Sequence, residues 1–343
     1  MSEQSRFFAR AQEVWKELDE LCTKFQRRGA RGMTSEELSR LDKLYRLTTI
    51  HLSQIRSRSK DLRMTHDLNR LVARAHSLIY ISRAHSYLAR IVLFYINGFA
   101  RAVARSWKFH LVASVLFFSA ATVGFYLAQS DPAAAYALSM AGDVRLPGSS
   151  AEQLESMLRS GRDQTGGEKF LFVAQLFNNN TKVGFLAFAL GVLAGIPTVY
   201  LLLYNGALIG SFISNHDNVG IRSEVWAWLL PHGVTEIGAI LLCGGAGLML
   251  GMAIVQPGHK TRTQSLKDAA HEAFLIAMGV IPMFLLAGFI ESYVRQSHMT
   301  TEQRLGFALM TAVLWGIYFA SGQFTERTLK RYRHRERQIT RDL

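Results

Sequence analysis

The stretch LLPHGVTEIGAILLCGGAGLML, residues 229–250, decides the class of fold. It consists almost wholly of apolar and small residues over a length that can cross a bilayer, which takes about 20 residues. Two ionisable side chains, His232 and Glu236, interrupt it. Ionisable groups in such a segment are costly, so they normally face a bundle interior or a wet cavity and mark function. The stretch therefore predicts a membrane domain with functional polar groups inside it.

The rest of the chain repeats this apolar pattern. Apolar residues make up 49% of the 343 residues, and charge lies mostly before Phe109, between apolar segments or after Gly322. The pattern predicts an all-α fold, a polytopic membrane helical bundle, with no cleavable signal peptide before its first span. Cys22 and Cys243 lie in a polar helix and a membrane segment, which argues against a disulfide framework. The predicted full spans are 109–128, 226–255, 273–293 and 305–322.

Two glycine–proline sites predict discontinuous helices. Residues 183–214 are too long for one straight span and short for two, and Gly195 with Pro197 divides them. Proline lacks an N–H donor and clashes with the preceding turn. A discontinuous helix or re-entrant hairpin is therefore expected, and a hairpin would return the chain to the side that it entered from. Pro231 and Gly233 predict a second interruption, within 226–255.

Three regions follow from this division of the chain. Residues 1–108 are predicted to form a cytoplasmic helical domain, 109–322 the membrane domain and 323–343 a basic cytoplasmic tail. Within the membrane domain, residues 130–178 form an outer-face loop. Residues 151–159 of that loop are predicted to be a short amphipathic helix at the interface.

The N-terminal region has the pattern of three amphipathic helices. Apolar residues recur at helical spacing in each, and a shared apolar stripe predicts an antiparallel bundle. Thr34 followed by Glu37 forms a capping box that opens the second helix.

The formal net charge is +13, and the basic residues cluster at the two ends of the chain. Positive charge beside membrane spans marks the cytoplasmic side and favours anionic lipids. We therefore expect a multi-pass protein of the bacterial cytoplasmic (inner) membrane with both termini cytoplasmic. No nucleic-acid-reading motif accompanies the charge, so no nucleic-acid partner is predicted.

The intramembrane polar residues allow three interpretations. In a structural one, Asn205, His232 and Glu236 satisfy one another and hold broken helices together. In a transport one, Glu236 and Glu291 bind a proton, an ion or a polar substrate. A metal-hydrolase interpretation is the weakest because HxxxE lacks the second histidine of HExxH. No catalytic residue, metal ligand set or cofactor is assigned.

Three consecutive asparagines, Asn178, Asn179 and Asn180, stand before the first broken segment. Asparagine favours helix N-caps, so capping is the preferred interpretation, with a polar gate at the membrane surface as the alternative.

Glycines at four-residue spacing recur in the apolar segments. Small residues at this spacing let helix backbones approach closely, which predicts tight packing or a homo-oligomer. The pairs are Gly191/Gly195, Gly206/Gly210 and Gly247/Gly251.

These motifs resemble the SpoIIM (stage II sporulation protein M) family of bacterial integral membrane proteins. The matching segments are Leu176 to Val183, Gly191 to Thr198, Asn205-Gly206, Leu230 to Glu236 and Ala287 to Glu291. The segment with the HGxxE motif is the most distinctive of them. Leu44-Tyr45-Arg46, Leu68-Asn69 and Arg74-Ala75-His76 look like the longer members of the family.

The resemblance implies membrane scaffolding. In spore formers the namesake recruits peptidoglycan-degrading partners, and the longer members are often encoded beside RDD-type membrane proteins and MoxR-type ATPases. We therefore expect a non-enzymatic scaffold for envelope or peptidoglycan remodelling, with a transporter, channel or lipid-handling protein as the alternative.

Overall fold

The computed structural model describes residues 3–29, 32–58, 62–80, 87–139, 144–159, 166–295 and 297–341. Every regular element in these ranges is helical, so the predicted all-α class is confirmed. The chain divides into two compact units, Met1–Arg90 and Ile91–Leu343. This division falls earlier than the boundary predicted after residue 108. The physical reason is that residues 94–105 pack among the membrane helices.

The first unit contains three helices that pack against one another. They are α1 (Glu3–Arg28), α2 (Ser35–Arg58) and α3 (Leu62–Tyr80). Their core is the predicted apolar stripe, with Leu18, Leu41 and Ala75 buried at its centre. Arg40 of α2 pairs with Glu17 of α1 at 2.7 Å, and this hydrogen-bonded ion pair holds the pKa of Glu17 below its usual range.

The capping box at the start of α2 is confirmed. The Thr34 hydroxyl accepts a hydrogen bond from the Glu37 backbone N–H at 3.2 Å, and the Glu37 carboxylate accepts one from the Thr34 N–H at 3.1 Å. Each side chain thus satisfies a donor that the first turn leaves unpaired.

Ser106 separates two helical stretches, Tyr87–Arg105 and Trp107–Ser130. Residues Tyr87–Arg105 comprise α4 (Tyr87–Leu93), a π-helical turn (Phe94–Gly98) and α5 (Phe99–Arg105). Then come α6 (Trp107–Ser130), α7 (Pro132–Ala137) and α8 (Ala151–Arg159), the last matching the predicted amphipathic helix. The remaining helices are α9 (Gly166–Ala189), α10 (Ile196–Asp217), α11 (Arg222–Val255), α12 (Arg262–Phe289) and α13 (Thr301–Arg341).

Six described helical segments are long and apolar enough to cross a membrane. The predicted spans fall within four of them, and α10 is a fifth. Tyr87–Arg105 is a segment that the sequence reading did not count, because its arginines made it look like part of the soluble region. The six are Tyr87–Arg105, Trp107–Ser130, Ile196–Asp217, Arg222–Val255, Arg262–Val294 and Thr301–Leu329.

The predicted break at Gly195 and Pro197 is present and reverses the chain. Ala194 and Gly195 take left-handed φ angles of 57° and 76°, and Pro197 lies in the first turn of α10. The Thr198 hydroxyl donates to the Ala187 carbonyl at 2.7 Å, which joins α10 to α9 across the turn. The outer loop ends earlier than residue 178, because α9 already begins at Gly166.

The predicted interruption at Pro231 and Gly233 is wrong. α11 is one helix from Arg222 to Val255, with Pro231 inside it. Proline removes only one helical hydrogen bond, and neighbouring helices can hold such a segment in shape. α11 has these neighbours, because it packs against α6, α9, α10, α12 and α13.

The predicted glycine pairs lie where helix backbones meet within one chain. A Cβ atom on Gly191 would overlap the Gly247 carbonyl, and one on Gly251 would lie 2.5 Å from the Gly195 nitrogen. The other pair faces α6, where side chains on Gly206 and Gly210 would overlap the carbonyls of Phe117 and Ala121. The glycine spacing therefore serves packing between α6, α9, α10 and α11.

Gly247→Ala tests this packing. The new methyl group would overlap the Ala187 carbonyl, so the helices must separate. We expect a loss of about 1–3 kcal/mol of stability and a lower midpoint of thermal unfolding in detergent, measured by fluorescence-detected size exclusion. Gly316→Ala is the control, because nothing lies within 4 Å of its added Cβ. Equal midpoints for the two variants would contradict the packing argument.

Candidate functional site

Three of the predicted polar residues come together in the second unit. His232, Glu236 and Glu291 each offer a ligand atom, and these atoms all lie within 4.8 Å of one another. His232 and Glu291 are buried, with 4% and 6% of their surfaces exposed, and Glu236 is half-buried. The cluster thus joins one imidazole and two carboxylates between helices.

Two different elements supply these side chains. His232 and Glu236 are one turn apart on α11, so they share a face of that helix. Glu291 lies in a π-helical turn, Ile290–Arg295, that directly follows α12. Such turns are uncommon in helical proteins and occur frequently at functional sites. The packing of α11 on α12 brings the two elements together.

Aromatic side chains hold the α11 part of the cluster in place. The Trp228 ring meets the His232 ring edge-on, with centroids 5.5 Å apart. Trp315 of α13 donates to the Thr235 hydroxyl at 3.0 Å, on the residue next to Glu236. The Arg145 guanidinium lies over the Trp228 ring, with its central carbon 4.9 Å from the ring centroid.

The predicted asparagines are placed differently. Asn205 donates to the Leu201 carbonyl of its own helix at 2.8 Å, so its amide serves α10. This hydrogen bond stays within α10, so it does not join Asn205 to His232 or Glu236 as the structural interpretation predicted. Asn178 and Asn180 lie in the middle of α9, where Asn178 is exposed and Asn180 is half-buried. The Asn179 side chain lies outside the described residues.

The helix-capping interpretation of these asparagines is wrong. α9 begins at Gly166, well before them, so they do not stand at its N-terminus. The predicted outer-face loop 130–178 included Gly166 and Gly167, which instead form the first turn of α9.

The cluster has a definite chemical capacity. Two carboxylates held this close between helices repel each other when both are ionised. A shared proton, a bound cation or a cationic substrate group would relieve that repulsion. One imidazole nitrogen and carboxylate oxygens are also ligand types that zinc accepts. The hydrolase motif HExxH is not formed, since one histidine contributes.

A second charged group in this unit was missed by the sequence reading. Arg105 pairs with Glu272 at 2.7 Å and with Glu326 at 2.9 Å, and Arg101 reaches Glu326 at 2.8 Å. These side chains come from α5, α12 and α13 and tie the three helices together. The sequence carries no local sign of the pairing between Glu272 and Arg105, because the two residues lie far apart in the chain.

Together, the apolar helices and the internal polar cluster define a multi-pass membrane protein. The family model for stage II sporulation protein M (SpoIIM) matches residues 113–295, and the chain belongs to this family. A second model, for a domain of unknown function (DUF8413), matches residues 5–81.

One curated protein is similar to part of this chain. The chain is 28% identical to the uncharacterized protein MJ0793 of Methanocaldococcus jannaschii over 124 residues, which cover 35% of this chain and 68% of that protein. No solved structure matches this chain.

Glu326→Gln tests the ionic group. The glutamate side chain is 10% exposed and faces two arginines, so neutralising it weakens two charge-assisted hydrogen bonds. We expect a stability loss of about 1–3 kcal/mol, seen as a lower unfolding midpoint in detergent. Glu302→Gln, at an exposed position on the same helix, should leave the midpoint unchanged. If both variants melt like the unmodified protein, the group does not tie the helices together.

Proposed function

We propose that this protein is a non-enzymatic membrane scaffold that recruits or organises partners in envelope or peptidoglycan remodelling. The observation that carries the proposal is the division into two units that each have a core of their own. One unit holds the spans, while the other is a compact helical bundle that can bind a partner.

The N-terminal bundle offers a surface suited to this role. Leu47 and Ile50 on α2 are 37% and 53% exposed, whereas the core residues Leu41 and Leu44 are buried. Exposed apolar side chains grouped on one helix are typical of protein interaction sites. The basic ends of the chain support cytoplasmic termini at the inner membrane, next to anionic lipids.

The class of partner is proposed from the family. An RDD-type membrane protein, a MoxR-type ATPase or a wall-remodelling enzyme would fit a scaffold of this kind. Further copies of the chain are also proposed, since α6 and α13 expose apolar residues such as Phe118 and Leu309 that a homo-oligomer could bury.

The double variant Leu47→Glu with Ile50→Glu tests the scaffold proposal. We expect it to lose partners that co-purify with the unmodified protein from gently solubilised native membranes, quantified by mass spectrometry. The added charges remove the apolar contact, whereas the membrane unit keeps its fold, which size exclusion checks.

Thr49→Glu is the matched control, because it adds charge at an exposed position on a different face of α2. It should keep the partners. Unchanged partners in the double variant would count against this surface, and a chain that co-purifies with itself alone would count against the scaffold.

A transporter, channel or lipid-handling protein is the second candidate. The cluster of His232, Glu236 and Glu291 favours it, because scaffolding does not require carboxylates between membrane helices. An apolar groove of about 710 Å³ between α6, α10 and α11 also fits an acyl chain, and the Asp217–Arg222 ion pair lies at its edge.

Glu236→Gln separates the two candidates. If the cluster carries a transported ion or proton, the variant should accumulate normally and lose flux in proteoliposomes that report ions by fluorescence. Glu224→Gln, on the same helix outside the cluster, should keep it. A scaffold predicts no flux in either protein and full partner capture in both.

A further inference from the structure

We propose that His232, Glu236 and Glu291 form a binding site for one divalent transition-metal cation of the zinc class. The inference holds whether the chain works as a scaffold or as a transporter, because it concerns what occupies the cluster.

The geometry is close to that of a metal site. Zinc bonds of about 2.0–2.1 Å in a tetrahedral site place ligand atoms about 3.3 Å apart. The three ligand atoms here lie within 4.8 Å of one another. Each glutamate side chain has several rotatable bonds, so side-chain rotation can bring its oxygen atoms closer to a bound cation.

The charge of the cluster calls for a cation. When both glutamates are ionised, the two carboxylates carry two negative charges, which one divalent cation neutralises. The Glu236 side chain is half-buried, and its carboxylate offers a ligand atom within 4.8 Å of those of His232 and Glu291. A carboxylate between helices without compensation is strongly unfavourable, so a cation would stabilise the folded unit.

The ligand types select among cations. Imidazole suits zinc and its transition-metal neighbours, whereas magnesium and calcium prefer sites made of oxygen. The Trp228 ring packs edge-on against His232 and fixes the orientation of the imidazole. Since His232 and Glu236 come from α11 and Glu291 from the turn after α12, a bound cation would cross-link these elements.

Metal titration of the purified full chain tests this assignment. Protein in detergent is stripped with a chelator and titrated with Zn²⁺ against a fluorescent zinc indicator, and bound metal is counted by plasma mass spectrometry. We expect about one zinc per chain and a rise in the unfolding midpoint on binding. Mg²⁺ at the same concentration should give neither effect.

Variants locate the site. Glu236→Gln and His232→Ala should each weaken zinc binding more than about tenfold, as loss of a ligand does. Glu224→Gln and His259→Ala are matched controls outside the cluster and should bind as the unmodified chain does. Equal binding by the cluster variants would place the zinc outside the cluster and overturn the proposal. No zinc uptake by folded protein would also overturn it, in favour of a shared proton.

X-ray absorption on the zinc-loaded, unmodified chain keeps the test decisive should a cluster variant fail to fold. One imidazole and otherwise oxygen ligands are expected around the metal. Sulfur ligands, or two or more imidazoles, would place the zinc elsewhere and refute the site.

Discussion

Close contact between helix backbones at glycine is the interaction on which the membrane unit depends. Gly191 and Gly195, which lie between α9 and α10, meet Gly247 and Gly251 of α11 with no side chain between them. Gly247 also faces the Ala187 carbonyl of α9. The same kind of contact joins α6 to α10 at Gly206 and Gly210. Within a bilayer, the hydrophobic effect does not drive helices together, so packing of this kind has to supply the stability. It also makes α11 the central helix, which carries His232 and Glu236 to the interior.

The central position of α11 explains why polar residues far apart in sequence meet. Glu291 reaches His232 and Glu236 because α12 runs beside α11 and ends at their level. A helical period can show that His232 and Glu236 share a face, since this depends only on spacing along one helix. Which face of another helix they meet depends on packing between helices, and the sequence carries no local signal for it.

Local chemistry was therefore predictable, and long-range contacts were not. The capping box of Thr34 and Glu37, the helix at 151–159 and the reversal at Gly195 each rest on a few neighbouring residues, and each is found in the structure. The predicted break at Pro231 failed because tertiary packing outweighed a local preference. The ion pair of Glu272 with Arg105 was not predicted, because the two residues lie far apart in the sequence. The role of the cluster depends on what it binds, and the spacing of residues in the sequence does not identify a bound ion or substrate.

Glu272 on α12 and Glu291 in the π-helical turn after it set a length that the bilayer has to match. Glu272 in the ionic group and Glu291 in the cluster are separated by about 28 Å along the helix, at about 1.5 Å per residue. The hydrocarbon core of a typical bilayer is about 30 Å thick. Glu272 and Glu291 thus bracket a hydrophobic thickness close to that of an ordinary membrane. A thicker bilayer would draw one of them toward lipid tails, and the mismatch would have to be relieved by thinning of the lipid around the protein. The geometry of α12 therefore makes the thickness of the surrounding membrane a condition for keeping the ion pair and the cluster intact.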